Sequence, residues 1–376
     1  MIKRSGTIIF QNLHKTHQHL KIQKRDYITI NSIFRLFGNS SVLNDDTSTS
    51  QQQQQSKIKN YKLELFKPKI SIVGVGGGGG NAINHMIEQQ QLSEVEFYAF
   101  NTDRQDLNKS KSINKIQLGP LLTRGEGAGA SPDKGRKAAE ESRELIKHTL
   151  ADTDLLFLAC GLGGGTGTGS SPIIAQTIKQ LNKNTIIVAV VTVPFAFEGK
   201  RKQDIAKKGL EELGKYVDTL VCISNENLLH YTGKETQLLE AFLYVDEILH
   251  SGIKSITNII HTPGMINLDY SDLVHILQNR KGLSRIGFGE ASGEDRAYRA
   301  VYDALNNPLV ERDNNTQKFT GLLVNISGGS DVTLKEINRI TTFLQENTDP
   351  DVQIFVGHCI DESLQGNIRI FALFVQ

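Results

Sequence analysis

The stretch from Ala159 to Ser171 constrains the fold more than any other part of the chain, because six of the nine residues from Gly161 to Gly169 are glycine. It follows an apolar run, Leu155 to Ala159, that has the character of a buried strand, and it leads into Pro172-Ile173-Ile174-Ala175-Gln176-Thr177-Ile178-Lys179-Gln180-Leu181, whose spacing predicts a helix with Pro172 in its first turn. Strand, glycine loop and helix together make phosphate-binding geometry. Glycine lacks Cβ and lets backbone approach a ligand closely, and the free N–H groups at a helix start favour an anion. A tight turn would need one or two glycines, not six.

A second unit of the same kind lies upstream. Lys69 to Val75 alternates as a strand, Gly76 to Asn81 forms a glycine run, and a helix resumes at Ala82. Gly74, Gly76 and Gly79 satisfy G-x-G-x-x-G, and Asp103 lies where a dinucleotide-binding fold places its ribose acid. That fold needs only one glycine fingerprint per nucleotide, so a nicotinamide-dependent oxidoreductase built on Gly74 to Gly79 ranks last among the readings. A Walker-type NTPase is disfavoured too, since no Gly-Lys pair here is followed by Ser or Thr.

These residues carry a resemblance. Gly163-Gly164-Gly165-Thr166-Gly167-Thr168-Gly169 resembles the signature of the tubulin/FtsZ superfamily of self-assembling GTPases, and Gly74 to Asn81 resembles FtsZ in particular. Further similar segments follow in the family's order: Asn101-Thr102-Asp103, Gly127 to Ala130, Pro194-Phe195 with Phe197 to Lys200, Ala241-Phe242, Asn267 to Asp272, and Ala291 to Arg296. The similarity runs from about Lys67 to the last residues.

The expected fold class is α/β: a tubulin/FtsZ-like GTPase domain with a parallel sheet, a long central helix, and a smaller α+β C-terminal domain. Strands at Ile70–Val75, Phe97–Phe100, Asp154–Ala159, Thr185–Val193 and Thr219–Ile223 alternate with helices such as Ser131–Leu150 and Asp204–Tyr216. Apolar residues keep helical spacing from Leu238 to Ile260, and Thr262-Pro263-Gly264 stops that helix. Helices near Glu294–Asn306 and Leu334–Glu346 and strands at Gly321–Ser327, Val352–Gly357 and Ile368–Val375 complete the second domain. The expected organisation is 1–60 presequence and linker, 61–237 GTP-binding domain, 238–261 linking helix, and 262–376 C-terminal domain.

The resemblance implies binding of GTP or GDP with Mg²⁺. It assigns phosphate contacts to Gly77, Gly78, Gly79, Gly80, Asn81, Gly165, Thr166 and Gly167, the ribose to Glu198, and the base to Asn225, Phe242 and Asp246. An acidic side chain accepts from guanine's N–H groups but meets adenine's bare acceptor. Asn267, Asp269 and Asp272 would complete the GTP site of a neighbouring subunit in a head-to-tail polymer, with the carboxylates orienting the attacking water. Taken by itself, Asp-x-x-Asp is a solvated turn. No dedicated metal site is expected, because Mg²⁺ keeps most of its waters.

Departures from the family pattern are Ser131 in place of Asn, Ala196 in place of a polar residue, and Lys202 in place of an arginine that holds nucleotide, with Arg201 one residue early. Lysine lacks the bidentate fork. These motivate an alternative: a GTP-binding structural paralogue with little hydrolysis of its own that co-assembles with a second FtsZ-like chain. The chain's last residues, Phe374-Val375-Gln376, leave out the adaptor-binding peptide that FtsZ chains usually carry.

Composition bounds the rest. With 376 residues and 38% apolar content the chain can bury a two-domain core. Its net charge of +1 implies no nucleic-acid partner. Cys160, Cys222 and Cys359 show no C-x-x-C spacing and fit a reduced interior. Residues 1–44 carry seven Lys or Arg against one acid, the pattern of a mitochondrial or plastid transit peptide, with no apolar run long enough to insert in a membrane. Residues 45–59, with five consecutive glutamines, form a low-complexity linker. The expected location is the mitochondrion, on the matrix side of the inner membrane, with plastid stroma as the alternative, and the expected role is a division ring.

Overall fold

Strand after strand in the first half of the chain is apolar on both faces, which only a sheet covered on both sides can accommodate. The computed structural model describes residues 67–92, 94–227, 237–261, 266, 268–278, 280, 282–307 and 319–376. The expected presequence, the polyglutamine segment and Asn267 lie outside them.

The elements run β1 (Ile70–Val75), α1 (Gly76–Gln89), β2 (Val95–Asn101), α2 (Arg104–Lys109), β3 (Asn114–Gln117), α3 (Pro120–Thr123), α4 (Pro132–Glu141), α5 (Arg143–Thr149), β4 (Leu155–Gly161), α6 (Thr166–Leu181), β5 (Ile186–Val193), a 3₁₀ turn (Ala196–Glu198), α7 (Lys200–Leu213) and β6 (Thr219–Ser224). The long helix α8 (Leu238–His261) follows. Then come α9 (Tyr270–Leu277), β7 (Leu283–Ser292), α10 (Arg296–Leu305), β8 (Gly321–Gly328), α11 (Leu334–Asn347), β9 (Gln353–Ile360), a second 3₁₀ turn (Glu362–Leu364) and β10 (Asn367–Val375).

The strands form one ten-stranded sheet in the order β3-β2-β1-β4-β5-β6-β7-β10-β8-β9. From β3 to β6 every pairing is parallel, with β4 central: Gly74 of β1 lies opposite Ala159, and Leu158 lies opposite Ala189 of β5. The join to the second half is short, Leu220 to Leu283 and Val221 to Ser284, after which β10 runs antiparallel to both β7 and β8.

Alternation sorts the core. Ile70 and Ile72 of β1 face the layer holding α1 and α8, whereas Val73 and Val75 face the layer holding α4 to α7. A third cluster packs α10 and α11 on β8 and β10. Helix α8 has 24 residues and so spans about 36 Å at 1.5 Å per residue. Its buried Val245, Leu249, Ile253, Ile256 and Ile259 join a cluster holding Val221 and Ile223 of β6 as well as Phe371 and Leu373 of β10. The one helix therefore contributes to the core beneath both halves of the sheet.

Four expectations are corrected. The glycine run Gly76–Gly80 is the start of α1, not a loop before it. Its helix packs so close to the sheet that a Cβ on Gly79 would lie 2.3 Å from the Ala159 carbonyl oxygen. Likewise α6 starts at Thr166, which leaves Pro172 inside the helix rather than in its first turn. The expected helix Ser131–Leu150 is two helices, α4 and α5, broken at Ser142, whose Oγ accepts from the Gly119 N–H at 2.9 Å. Helix α7 begins at Lys200, four residues ahead of the expected Asp204. Strands β3 and β7 and helix α9 are additions to the sequence-based reading.

Candidate nucleotide site

In parallel α/β sheets ligands collect at the carboxyl ends of the strands, where loops rather than paired backbone face outward. A cavity of about 410 Å³ occupies that place here, around the ends of β4, β5 and β6. Gly77, Gly78 and Asn81 of α1 form one wall, and the loop Gly161–Gly164 forms the floor. Thr192, Pro194, Glu198, Lys202 and Asn225 close the far side, and α8 supplies Phe242, Val245, Asp246 and Leu249.

Two helix starts meet beside it. A Cβ on Gly76 would lie 3.0 Å from the Gly167 N, so the first turns of α1 and α6 abut and their unpaired N–H groups share one region. Gly165 caps α6 and Thr166 and Gly167 stand in its first turn, all three outside the cavity lining. Thr166 Oγ1 is 2.6 Å from Thr102 Oγ1, and Thr168 Oγ1 accepts from the Gly163 N–H at 2.9 Å, which fixes the loop. Gly79 and Gly80 also lie outside the lining.

The opposite end is suited to a base with N–H donors. Asn225 is 5% exposed and its Oδ1 has no hydrogen-bond partner among the described residues, an unusual cost for a buried amide unless a ligand meets it. Burial pushes the Asp246 carboxyl up to about 6, and the charge of His85 pulls it back toward the ionised form. Phe242 is half exposed at the rim and meets the buried Phe195 edge-on at 5.5 Å; Phe195 in turn stacks on Phe197 at 4.9 Å. Phe242, Val245, Asp246 and Leu249 follow helical i, i+3, i+4, i+7 spacing. That period is present in the sequence and places Val245 and Leu249 on the cavity face, although the family resemblance assigns them no contact. Thr192 and Pro194 line the cavity without such an assignment too, and both follow the apolar core of a strand at its carboxyl end.

Glu198 accepts from the Phe195 N–H at 3.0 Å and from Lys202 Nζ at 2.9 Å. Lys202, not Arg201, faces the cavity. Ser131 caps α4 by accepting from the Lys134 N–H at 3.4 Å. Asp103 caps α2, accepting from the Gln105 N–H at 2.8 Å, and stands outside the cavity, so the acid that an oxidoreductase reading would place on a ribose has another job.

Asp269 and Asp272 also lie outside the cavity of their own chain. They form a reciprocal capping box at the start of α9: the Asp272 N–H donates to Asp269 Oδ1 at 2.7 Å, and the Asp269 N–H donates to Asp272 Oδ2 at 3.3 Å. The solvated turn that the spacing alone suggests is in fact a helix start. Among the described residues no group of three or more His, Cys, Asp or Glu is arranged to hold a metal ion.

Comparison with known proteins follows the same division. Residues 69–233 match the GTPase domain of the tubulin/FtsZ family, and residues 282–375 match the C-terminal domain of the FtsZ family. The mitochondrial division protein fszB of Dictyostelium discoideum is 72% identical over 84% of this chain and 86% of its own length. The cell division protein FtsZ of a Wolbachia species is 44% identical over 83% of this chain and 80% of its own. An FtsZ dimer of M. jannaschii superposes with a TM-score of 0.78 at 38% identity, covering 87% of this chain and 92% of that one. The strand-end cavity, the twin helix starts and these similarities converge: the chain belongs to the tubulin/FtsZ family of GTPases.

Proposed function

We propose that this GTPase assembles head to tail into filaments that serve mitochondrial division, with each GTP site completed by the next subunit. The observation that carries the reading is the separation of parts. The groups suited to guanine and the first turn of α1 line one cavity, while Asp269 and Asp272 cap the start of α9 outside it. A head-to-tail contact is heterologous and does not close, which yields filaments.

Asn225 and Asp246 would take the guanine edge, Phe242 its face, Glu198 and Lys202 the ribose side, and the N–H groups of α1 and α6 the phosphates. Gly77 to Asn81 and Gly165 to Gly167 are the residues assigned to that last contact. A Mg²⁺ ion held by phosphates and water would neutralise charge on the phosphates. Asp269 and Asp272, with Asn267 ahead of them, would orient and polarise the attacking water of the neighbouring site. Loss of γ-phosphate would then loosen the contact. The division protein of Dictyostelium, similar over most of its length, supports the organelle role. The basic, acid-poor first 44 residues support import into the mitochondrion, on the matrix side.

Complementation tests the shared site. Asp272→Asn keeps an acceptor for the Asp269 N–H but removes the charge, and Asp246→Asn disables guanine binding. Each variant alone should release little phosphate, and an equimolar mixture should recover a substantial fraction of wild-type turnover. A mixture no more active than its parts would refute completion in trans.

The Lys202–Glu198 ion pair favours a second reading. Because lysine there is engaged with Glu198 and lacks arginine's bidentate fork, this reading has the chain bind GTP, turn over slowly and co-assemble with another FtsZ-like chain. That reading predicts phosphate release that rises only when the second chain is added.

A further inference from the structure

Behind the base end of the cavity, a polar seam joins the phosphate helix to the long helix. Asn81 of α1 lines the cavity, and His85 lies one turn further along the same face. His85 Nε2 is 2.9 Å from Glu247 Oε2, and Glu247 is the neighbour of Asp246. Since a carboxylate only accepts, that ring nitrogen carries the proton. Ser251 Oγ donates to the other Glu247 oxygen at 3.4 Å. The His85 ring is perpendicular to that of His250 at 6.2 Å, and below it Gln91 Oε1 lies 3.3 Å from His250 Nε2 and accepts from Lys254 Nζ at 2.7 Å.

We propose that His85 is a positioning residue for guanine recognition: it holds the Asp246–Glu247 turn of α8 against α1 and keeps the Asp246 carboxylate ready to accept from the base. This rests on the assignment of guanine to Asp246.

Two further observations support it. His85 is largely buried, with a side chain 16% exposed, so its link to Glu247 is less open to water than a surface pair, although Glu247 itself is half exposed. The His85 charge also opposes the burial that drives Asp246 toward its protonated form, which could not accept both guanine N–H groups. The titratable and charged groups around this corner are Asp246, Glu247, His250 and Lys254 of α8, Glu88 of α1 paired with Lys111, Cys160, Glu198 and Lys202 across the cavity, and Glu290, Asp361 and Arg369 from the second half. Burial pushes His250 down to about 4, so it stays neutral over the range in which Asp246 titrates.

GDP affinity of the full chain, measured by calorimetry from pH 5 to 8, tests the proposal with three variants. His85→Leu removes both bond and charge: GDP binding should weaken about fivefold at neutral pH, and the pH at which affinity falls off should move upward by about half a unit. His85→Gln keeps a donor for Glu247 but no charge: affinity at neutral pH should recover, and the upward shift should persist. A merely structural role would lower affinity at every pH without moving the midpoint. Asp246→Asn is the reference. If it weakens GDP binding while both His85 variants keep the wild-type affinity and midpoint, the role of His85 is overturned alone. If Asp246→Asn binds GDP as the wild type does, the guanine assignment falls and the proposal with it. Should His85→Leu fail to fold, an unmoved midpoint in His85→Gln overturns the proposal by itself.

Discussion

Asp246 works in two opposite directions as pH changes. Its folded carboxyl is raised from 3.8 to about 6 by burial, so its contribution to stability is fully present below 3.8 and is lost as pH rises through 6. Guanine binding needs the carboxylate and gains over the same range, so GDP affinity should fall as pH drops below 6 while the empty protein gains stability from this group. Exchange for an amide should change base preference. Asp246→Asn offers an N–H where guanine has its exocyclic amine, but the same N–H suits the 2-oxo group of xanthine. We expect GDP affinity to fall by about a hundredfold and xanthosine diphosphate to bind better than GDP, measured by competition. Equal preference for the two bases would contradict the assignment. Much at this scale was legible: of the residues that the family resemblance assigned to nucleotide, Gly77, Gly78, Asn81, Glu198, Lys202, Asn225, Phe242 and Asp246 line one cavity. The unpaired Asn225 Oδ1 and the His85–Glu247 link were not legible, because they depend on which segments distant in sequence come to lie side by side.

Elements start where side chains or close packing allow, and the glycines show it. The strand-loop-helix pattern predicts a loop at Gly76–Gly80, and a glycine run is a poor helix former. The fold overrides propensity because only glycine lets α1 approach β4: the 2.3 Å overlap waiting at Gly79 has no flexible side chain to yield. Gly79→Ala should therefore destabilise the protein by roughly 1–3 kcal/mol or more in chemical denaturation, despite alanine's better helix propensity. A neutral or stabilising effect would contradict that account. Strand β7 escaped notice for a related reason. Gly287 and Gly289 weaken its strand signal, yet a Cβ on Gly289 would lie 2.0 Å from the Ala300 carbonyl oxygen, where α10 packs on it. Helix α9 was within reach of the sequence, since Asp269 and Asp272 precede apolar residues at 273, 276 and 277. Asp269→Ala should cost about 1 kcal/mol through the lost cap, whereas Asp269→Asn should not. Loss of turnover in the Asn variant is then a statement about chemistry and not about α9.

At the scale of the molecule, the alternation of strands and helices, the long helix and the smaller second half were all legible, because hydrophobic period survives over many residues. The single ten-stranded sheet was not. Among the described residues its halves meet through two residue pairs between β6 and β7, and no local pattern marks so short a join. That arrangement places α8 in one cluster with strands of both halves, while its Phe242 and Asp246 line the nucleotide cavity. The proposed filament depends on a site that one subunit cannot complete. The most direct measurement is phosphate release with GTP and Mg²⁺ across a range of protein concentrations, with light scattering recorded in parallel. A site completed between subunits gives a specific rate that is negligible at low concentration and climbs with scattering above a shared threshold. A specific rate independent of concentration, in the absence of scattering, would contradict it.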